Sequence, residues 1–309
     1  MIVTVTLNPS FDKSITINNF KLDVVNKISN SRIDPGGKGI NVSKVLNVLG
    51  CKNIASGIAG RDNFDSYSAL LEENNIHHDI ILTNGSIRTN IKINDPINNI
   101  TTDINESGPI LDNIDFENLK SLLIKYKNSA SVFVISGSIS TGTDPKLILN
   151  LVEFLSEMGK KVIVDTSGSA LNKAVKAKPY IIKPNLIELS ELMGRKPLTH
   201  DEIIECAKEL ISTGIHGIMV TMGGDGLLYV TENCTYHSIG IKVNAMCTVG
   251  AGDAVTASLA YGVENIFSDS DMVRLGAALG TAAVMTEGSQ APSLDDIEHY
   301  MDKVDVIEL

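Results

Sequence analysis

Short β-rich runs alternate with helix-length segments along most of this chain, and that alternation restricts the fold more than any other feature. The core runs are residues 2–7, 53–57, 132–136, 161–165, 180–183 and 217–221. Several are apolar at nearly every position, the pattern of a strand buried on both faces of a sheet. Between them, residues 39–49, 64–74, 116–127, 145–159 and 201–214 carry apolar side chains at helical spacing. Strand–helix alternation of this kind predicts an α/β fold, an open and mostly parallel central sheet flanked by helices. At 309 residues the chain is long enough to bury a large core. Near the C-terminus, residues 251–265 and 271–286 read as two helices rich in Ala, Gly and Ser. Such helices can pack closely on each other or on a flat ligand.

Two stretches depart from the pattern. Residues 11–34 and 86–104 alternate polar and apolar side chains, as exposed antiparallel strands do. Paired, they would form a small antiparallel β sheet inserted into a single domain spanning 1–309. One face of that sheet would need cover from a substrate, a partner subunit or both. A lid and a plain β extension both fit this pattern.

The formal net charge of -11 and the absence of a Lys/Arg-rich run argue against nucleic acid or an anionic membrane as partner. Any anionic ligand must meet positive charge placed locally. The opening "MIVTVTLNPS" has no basic segment of the secretory type, and no apolar run approaches the roughly 20 residues of a membrane span. The expected compartment is the cytoplasm. The four cysteines are scattered without a C-x-x-C pair, so neither a zinc site nor a disulfide framework is expected.

Three glycine-rich loops stand out. In "TVGAGDAVTAS", Gly250, Ala251, Gly252 and Asp253 lie between a strand-like stretch and a helix start. Free N–H groups at a helix start attract anions. Asp253 there fits a helix cap, a metal ligand or a catalytic base. No dinucleotide fingerprint or Walker loop is present, since position 255 is Val and no G-x-x-x-x-G-K-[ST] occurs. In "DPGGKGINVSKVL", Gly37 and its neighbours surround Lys38, with Asn41 on the first turn of the next helix. "TMGGDG" places Thr221, Gly223 and Gly226 where either a hairpin turn or a nucleotide contact is possible. Asp12 follows the first strand, where a carboxylate can hold sugar hydroxyls. Arg88, Asn90 and Lys92 share one face of a strand at period two, a cationic row on an acidic protein. Asn185 and Glu188 are three apart at a helix start, either capping it or holding a hydrated Mg²⁺.

Taken together and in order, "GGKGINVSKVLNVLG", "SGSIS", "VDTSGSAL", "IKPNLIEL", "MVTMGGDG" and "TVGAGDAVTAS" resemble the ribokinase-like, or PfkB, carbohydrate kinase family. The resemblance runs over essentially the whole chain. "TLNPSFD", "GGKGIN", "SGS" and "KPN" are similar to its hexose-phosphate branch, which includes 1-phosphofructokinases and tagatose-6-phosphate kinases. It implies ATP as phosphoryl donor, Mg²⁺, a ketohexose phosphate as acceptor, and a homodimer through the lid sheet. By resemblance, Asp253 is the base and Gly250, Ala251 and Gly252 form the anion hole. Asp12, Gly37 and Asn41 bind sugar hydroxyls; Lys38, Arg88 and Ser138 meet the sugar's phosphate. Thr221, Gly223 and Gly226 line the ATP site near Lys183 and Asn185, and Glu188 acts through Mg²⁺ and water. "RTNIKI", with Asn90 and Lys92, resembles the 1-phosphofructokinase version of its strand and favours D-fructose 1-phosphate over tagatose 6-phosphate. Ala254, Ser258, Ile139 and Ser140 depart from the branch's usual residues. A non-catalytic sugar-phosphate-binding protein on the same fold is the competing expectation.

Overall fold

The computed structural model describes residues 1–309. Its strands are β1 (Ile2–Thr6), β2 (Ser10–Thr16), β3 (Asn30–Gly36), β4 (Asn53–Gly60), β5 (His78–Thr83), β6 (Arg88–Asp95), β7 (Ile100–Asn105), β8 (Val132–Ser136), β9 (Lys161–Asp165), β10 (Ile181–Ile182), β11 (Gly217–Thr221), β12 (Leu227–Thr231), β13 (Thr235–Ser238) and β14 (Val306–Glu308). Its helices are α1 (Lys38–Val48), α2 (Phe64–Glu73), α3 (Asn113–Ile124), α4 (Lys146–Glu157), α5 (Gly168–Ala174), α6 (Leu186–Met193), α7 (His200–Ile211), α8 (Ala251–Asn265), α9 (Asp269–Val284) and α10 (Leu294–Met301).

The large sheet runs β14-β13-β12-β11-β10-β9-β8-β1-β4-β5. From β5 to β11 every neighbouring pair is parallel. Its central strands are apolar on both faces because both faces are covered. Val3 and Val5 point into one core with Phe133 and Ile135, packed under α3, α4 and α7. Ile2, Val132 and Val134 point into the other, under α1, α8 and α9. Successive side chains of a strand alternate faces, so one run feeds two cores. The strand β1 lies between β4 and β8, so the chain winds to one side of β1 and then, from β8 on, to the other. Such a reversal opens a crevice at the carboxyl ends of the strands, where α/β folds bind ligands.

The far edge of this sheet differs from the expected pattern. There β12, β13 and β14 are antiparallel. The turn between β11 and β12 is the hairpin that "TMGGDG" allowed. Its last residue, Gly226, has φ +98°, and a Cβ there would lie 1.9 Å from the Ser238 carbonyl oxygen. Gly226→Ala is therefore expected to destabilise the fold by about 2–4 kcal/mol. A urea midpoint equal to that of the parent chain would show that β13 can move aside.

Sheet two runs β3-β2-β6-β7 and brings the two alternating stretches together. Its outer pairs are antiparallel, as the alternation predicts. They meet along a parallel seam between β2 and β6, which alternation alone does not specify. Register puts Asp12, Asp34 and Asn90 on one face and Ile33, Lys13, Ile91 and Ile104 on the other.

Candidate active site

A cleft of about 940 Å³ opens at the carboxyl ends of the parallel strands. The small sheet contributes Asp12, Arg88 and Asn90 to it, and the start of α1 contributes Gly37, Lys38 and Asn41. Strand ends and their following turns supply Lys183, Asn185, Glu188, Thr221, Gly223 and Gly226. Gly250, Ala251, Gly252 and Asp253 lie on the same cleft, at the start of α8.

Gly250 takes the left-handed conformation, φ +86°, and α8 begins directly after it. The first intrahelical bond runs from the Ala254 N–H to the Gly250 carbonyl, at 2.8 Å. The N–H groups of Ala251, Gly252 and Asp253 precede that bond and are left for a ligand. Asp253 does not cap the helix, since no side chain bonds to its start. Its carboxylate instead accepts a hydrogen bond from Asn41 Nδ2 at 2.8 Å. No group of three or more His, Cys, Asp or Glu side chains forms a metal cluster here. Burial pushes the Asp253 carboxyl up to about 6; Lys38, the Asn41 hydrogen bond and Lys183 oppose that rise, and Asp165 adds to it.

Beneath the cleft lies a fully buried carboxylate that sequence reasoning had not singled out. Asp165 closes β9 and meets Lys183 at 3.2 Å and Lys38 at 3.3 Å through one oxygen. Its other oxygen accepts from Thr256 at 3.0 Å and Ser136 at 3.3 Å. Burial alone would raise its pKa. The ammonium groups of Lys183 and Lys38 outweigh it, with the Thr256 hydroxyl helping, and hold it near 2. The same carboxylate pushes the Lys38 ammonium well above its usual value. Asp165 thus orients two cations, and Lys183 Nζ would come within 3.4 Å of a Cβ at Gly252. The signal for it was present in "VDTSGSAL": an acid ending an apolar, doubly buried strand requires partners.

On the small sheet, Asp12 accepts from Ser10 Oγ at 2.7 Å and Asn90 Nδ2 at 2.9 Å through one oxygen. Arg88 has no carboxylate within ion-pair distance; it donates to the Glu106 carbonyl at 3.3 Å, and its buried Nε has no partner. The buried Asn90 Oδ1 has none either. Lys92 shares their face but sits one repeat further along, paired with Asp103 at 2.7 Å and outside the cleft lining. Ser138 also lies outside the lining.

At the start of α6, Asn185 and Glu188 form a capping box. Asn185 Oδ1 accepts from the N–H groups of Ile187 and Glu188, and one Glu188 oxygen accepts from the Asn185 N–H at 2.9 Å. The second Glu188 oxygen makes no such bond and remains for a cation or its water. Small and apolar residues of the cleft, Val243, Ala245, Gly276, Ala277 and Gly280, make a shallow wall suited to a flat ring. Gly276 and Gly280 are four apart on α9, where a Cβ would meet Ser258 Oγ at 2.8 Å and Val255 Cγ2 at 3.2 Å, respectively, so close packing on α8 also requires small residues there. Ala254 and Ser258, by contrast, are fully buried and do not line the cleft.

Known proteins resemble the chain over nearly its whole length. The description "pfkB family carbohydrate kinase" matches residues 5–297. A 1-phosphofructokinase of Borreliella burgdorferi is 35% identical, covering 92% of each chain. One from Vibrio cholerae is 33% identical, covering 93% of this chain and 90% of its own. A tagatose-6-phosphate kinase of Staphylococcus epidermidis is 31% identical over the full length of both. Among solved structures, phosphofructokinase-2 from Escherichia coli superposes with a TM-score of 0.92 at 26% identity, covering 98% of each chain. With an α/β architecture, a switch-point cleft and full-length relatives all in agreement, the chain belongs to the pfkB family of carbohydrate kinases.

Proposed function

We propose that this kinase transfers a phosphoryl group from ATP to D-fructose 1-phosphate, giving fructose 1,6-bisphosphate and ADP. The observation that carries the reading is the pairing of a buried, Asn41-held Asp253 with the free N–H groups that begin α8. A binding protein has no need of a strained-up carboxyl beside an anion-binding helix start.

In this reading the acceptor hydroxyl lies against Asp253, which takes its proton as the oxygen attacks the γ-phosphorus. The phosphorus–oxygen bond to ADP breaks as the new one forms. Charge gathering on the transferred group meets the N–H groups of Ala251, Gly252 and Asp253, with Lys183 and Lys38 held close by Asp165. Asp12, Gly37 and Asn41 hold sugar hydroxyls, and Arg88 with Lys38 neutralises the phosphate already on the sugar. Thr221, Gly223, Gly226 and Asn185, with the small-residue wall of α9, receive the nucleotide. Mg²⁺ would supply further charge neutralisation, held through water by the free oxygen of Glu188. Lys92 and Ser138, outside the cleft, have no direct contact in this assignment.

Arg88 supports a phosphorylated acceptor because it is a guanidinium without a carboxylate partner. Arg88→Ala is expected to raise KM for the sugar phosphate roughly 10- to 100-fold, the worth of one or two charge-assisted hydrogen bonds, and to leave KM for ATP unchanged. An equal rise in both constants would remove Arg88 from the acceptor site. Several relatives named 1-phosphofructokinase favour fructose 1-phosphate. The full-length match to a tagatose-6-phosphate kinase makes tagatose 6-phosphate the second reading.

The small sheet serves as a lid in this account, its polar face on the substrate. Its other face exposes Ile33 (46%) and Ile104 (52%), which lie in one register row on the two outer strands with Lys13 and Ile91 between them. A homodimer through that face would cover them. The proposed compartment is the cytoplasm; no helix is long and apolar enough to cross a membrane.

A further inference from the structure

Lys44 is a buried lysine in the middle of α1 with no carboxylate in ion-pair distance. Buried ammonium groups are ordinarily paired with an acid, because desolvating an isolated one is costly. This one donates instead to three neutral oxygens: the Pro35 carbonyl at 2.7 Å, Asn41 Oδ1 at 3.3 Å and the Ser289 carbonyl at 3.3 Å. They come from the end of β3, from α1 itself and from the loop between α9 and α10. That loop also borders the anion-binding turn, for a Cβ on Gly250 would lie 4.0 Å from Ser289 Cα.

The Asn41 contact bears on the chemistry. An ammonium has only donors, so the amide must turn its oxygen toward Lys44 and its NH₂ toward Asp253. That orientation donates to Asp253 and favours the ionised form a base requires. An inverted amide would present its oxygen to Asp253, and the pair would be held only with the carboxyl protonated.

We propose that Lys44 is a positioning residue for phosphoryl transfer: it fixes the Asn41 amide toward Asp253 and ties the 286–291 loop and the end of β3 to the same point. It touches neither substrate nor reacting atoms. Burial lowers the ammonium to about 8, while Asp34, Asp12 and Asp253 raise it and Arg32 lowers it further. Its three oxygen acceptors match the three N–H donors of an ammonium. The inference rests on the reading of Asp253 as the base.

The test is a double-mutant cycle read through pH profiles. Lys44→Met is expected to lower kcat roughly 10- to 100-fold, the penalty of a misplaced reacting group. The acid limb of kcat/KM should move to higher pH, because Asp253 loses a reliable donor. Lys44→Arg, which keeps charge and donors, should return the limb toward its original position. In an Asn41→Ala background, adding Lys44→Met should lower kcat far less than it does alone. Where the methionine variant does not fold, Lys44→Gln replaces it, with a smaller loss and a smaller shift of the acid limb because its NH₂ can still donate to Asn41 Oδ1 but its own amide can also invert. Multiplicative losses with an unmoved acid limb would overturn the inference and make Lys44 a packing brace. Full activity in Asp253→Asn would instead sink the underlying reading, so the two failures are separable.

Discussion

Asp253→Asn is expected to lower kcat by about 10³-fold, within the range general-base residues contribute. The replacement keeps the shape of the side chain and removes only the proton acceptor. The anion-binding turn and the acceptor contacts remain, so KM for the sugar phosphate should change little. With the carboxyl at about 6 in the parent enzyme, kcat/KM should fall as pH drops through that value, because the base must be ionised. The residual rate of the variant should lack that limb. Stability should move the other way. A carboxyl whose pKa is raised by folding is penalised when ionised, so its burden on the fold is largest above pH 6 and relieved as pH falls through it. The variant is therefore expected to have a higher Tm than the parent at pH 8 and little advantage at pH 4. Kinetics and thermal unfolding at the two pH values check both parts; a variant with undiminished kcat would leave Asp253 without a role in proton transfer.

Asp165→Asn acts on the fold first. It leaves Lys183, only 4% exposed, and Lys38 without their shared counter-charge. Breaking one side of a buried pair typically costs about 3–5 kcal/mol, and activity should fall as both cations lose their aim. Held near 2 against an ordinary 3.8, this carboxylate stabilises the fold above pH 3.8 and loses that contribution as pH falls through 2. The gap in stability between parent and variant should therefore narrow as pH drops from 4 toward 2. Urea unfolding at pH 7 measures the main effect. A difference below about 1 kcal/mol, the scale of an exposed ion pair, would mean that the network is not tightly coupled.

These two carboxylates also mark where sequence reasoning succeeds and stops. Asp253 was visible because glycines and a helix start surround it locally. For Asp165 the sequence signals the need for partners but not which they are, because Lys38 reaches it from 127 residues away and only folding brings them together. Central strands such as β1, β8 and β9 were legible as apolar runs since both their faces are buried. The edge strand β5 is only half-buried, and β13 and β14, four and three residues long, are too short to show a period. Alternation placed Arg88, Asn90 and Lys92 on one face, yet period two says nothing about distance along a strand. Two residues add nearly 7 Å, enough to carry Lys92 past the cleft to Asp103. Spacing also leaves Asn185 and Glu188 doubly suited, since a helix cap and a water-held cation use the same i,i+3 geometry.

The central claim, a kinase for a ketohexose phosphate, is tested most directly by ADP release with purified protein, ATP and Mg²⁺. Fructose 1-phosphate, tagatose 6-phosphate and fructose 6-phosphate are compared at concentrations well below saturation, where rates report kcat/KM. The account predicts the highest kcat/KM with fructose 1-phosphate. A higher value with tagatose 6-phosphate would reassign the acceptor, and no ADP release above the ATP-only rate with any of the three would contradict the account.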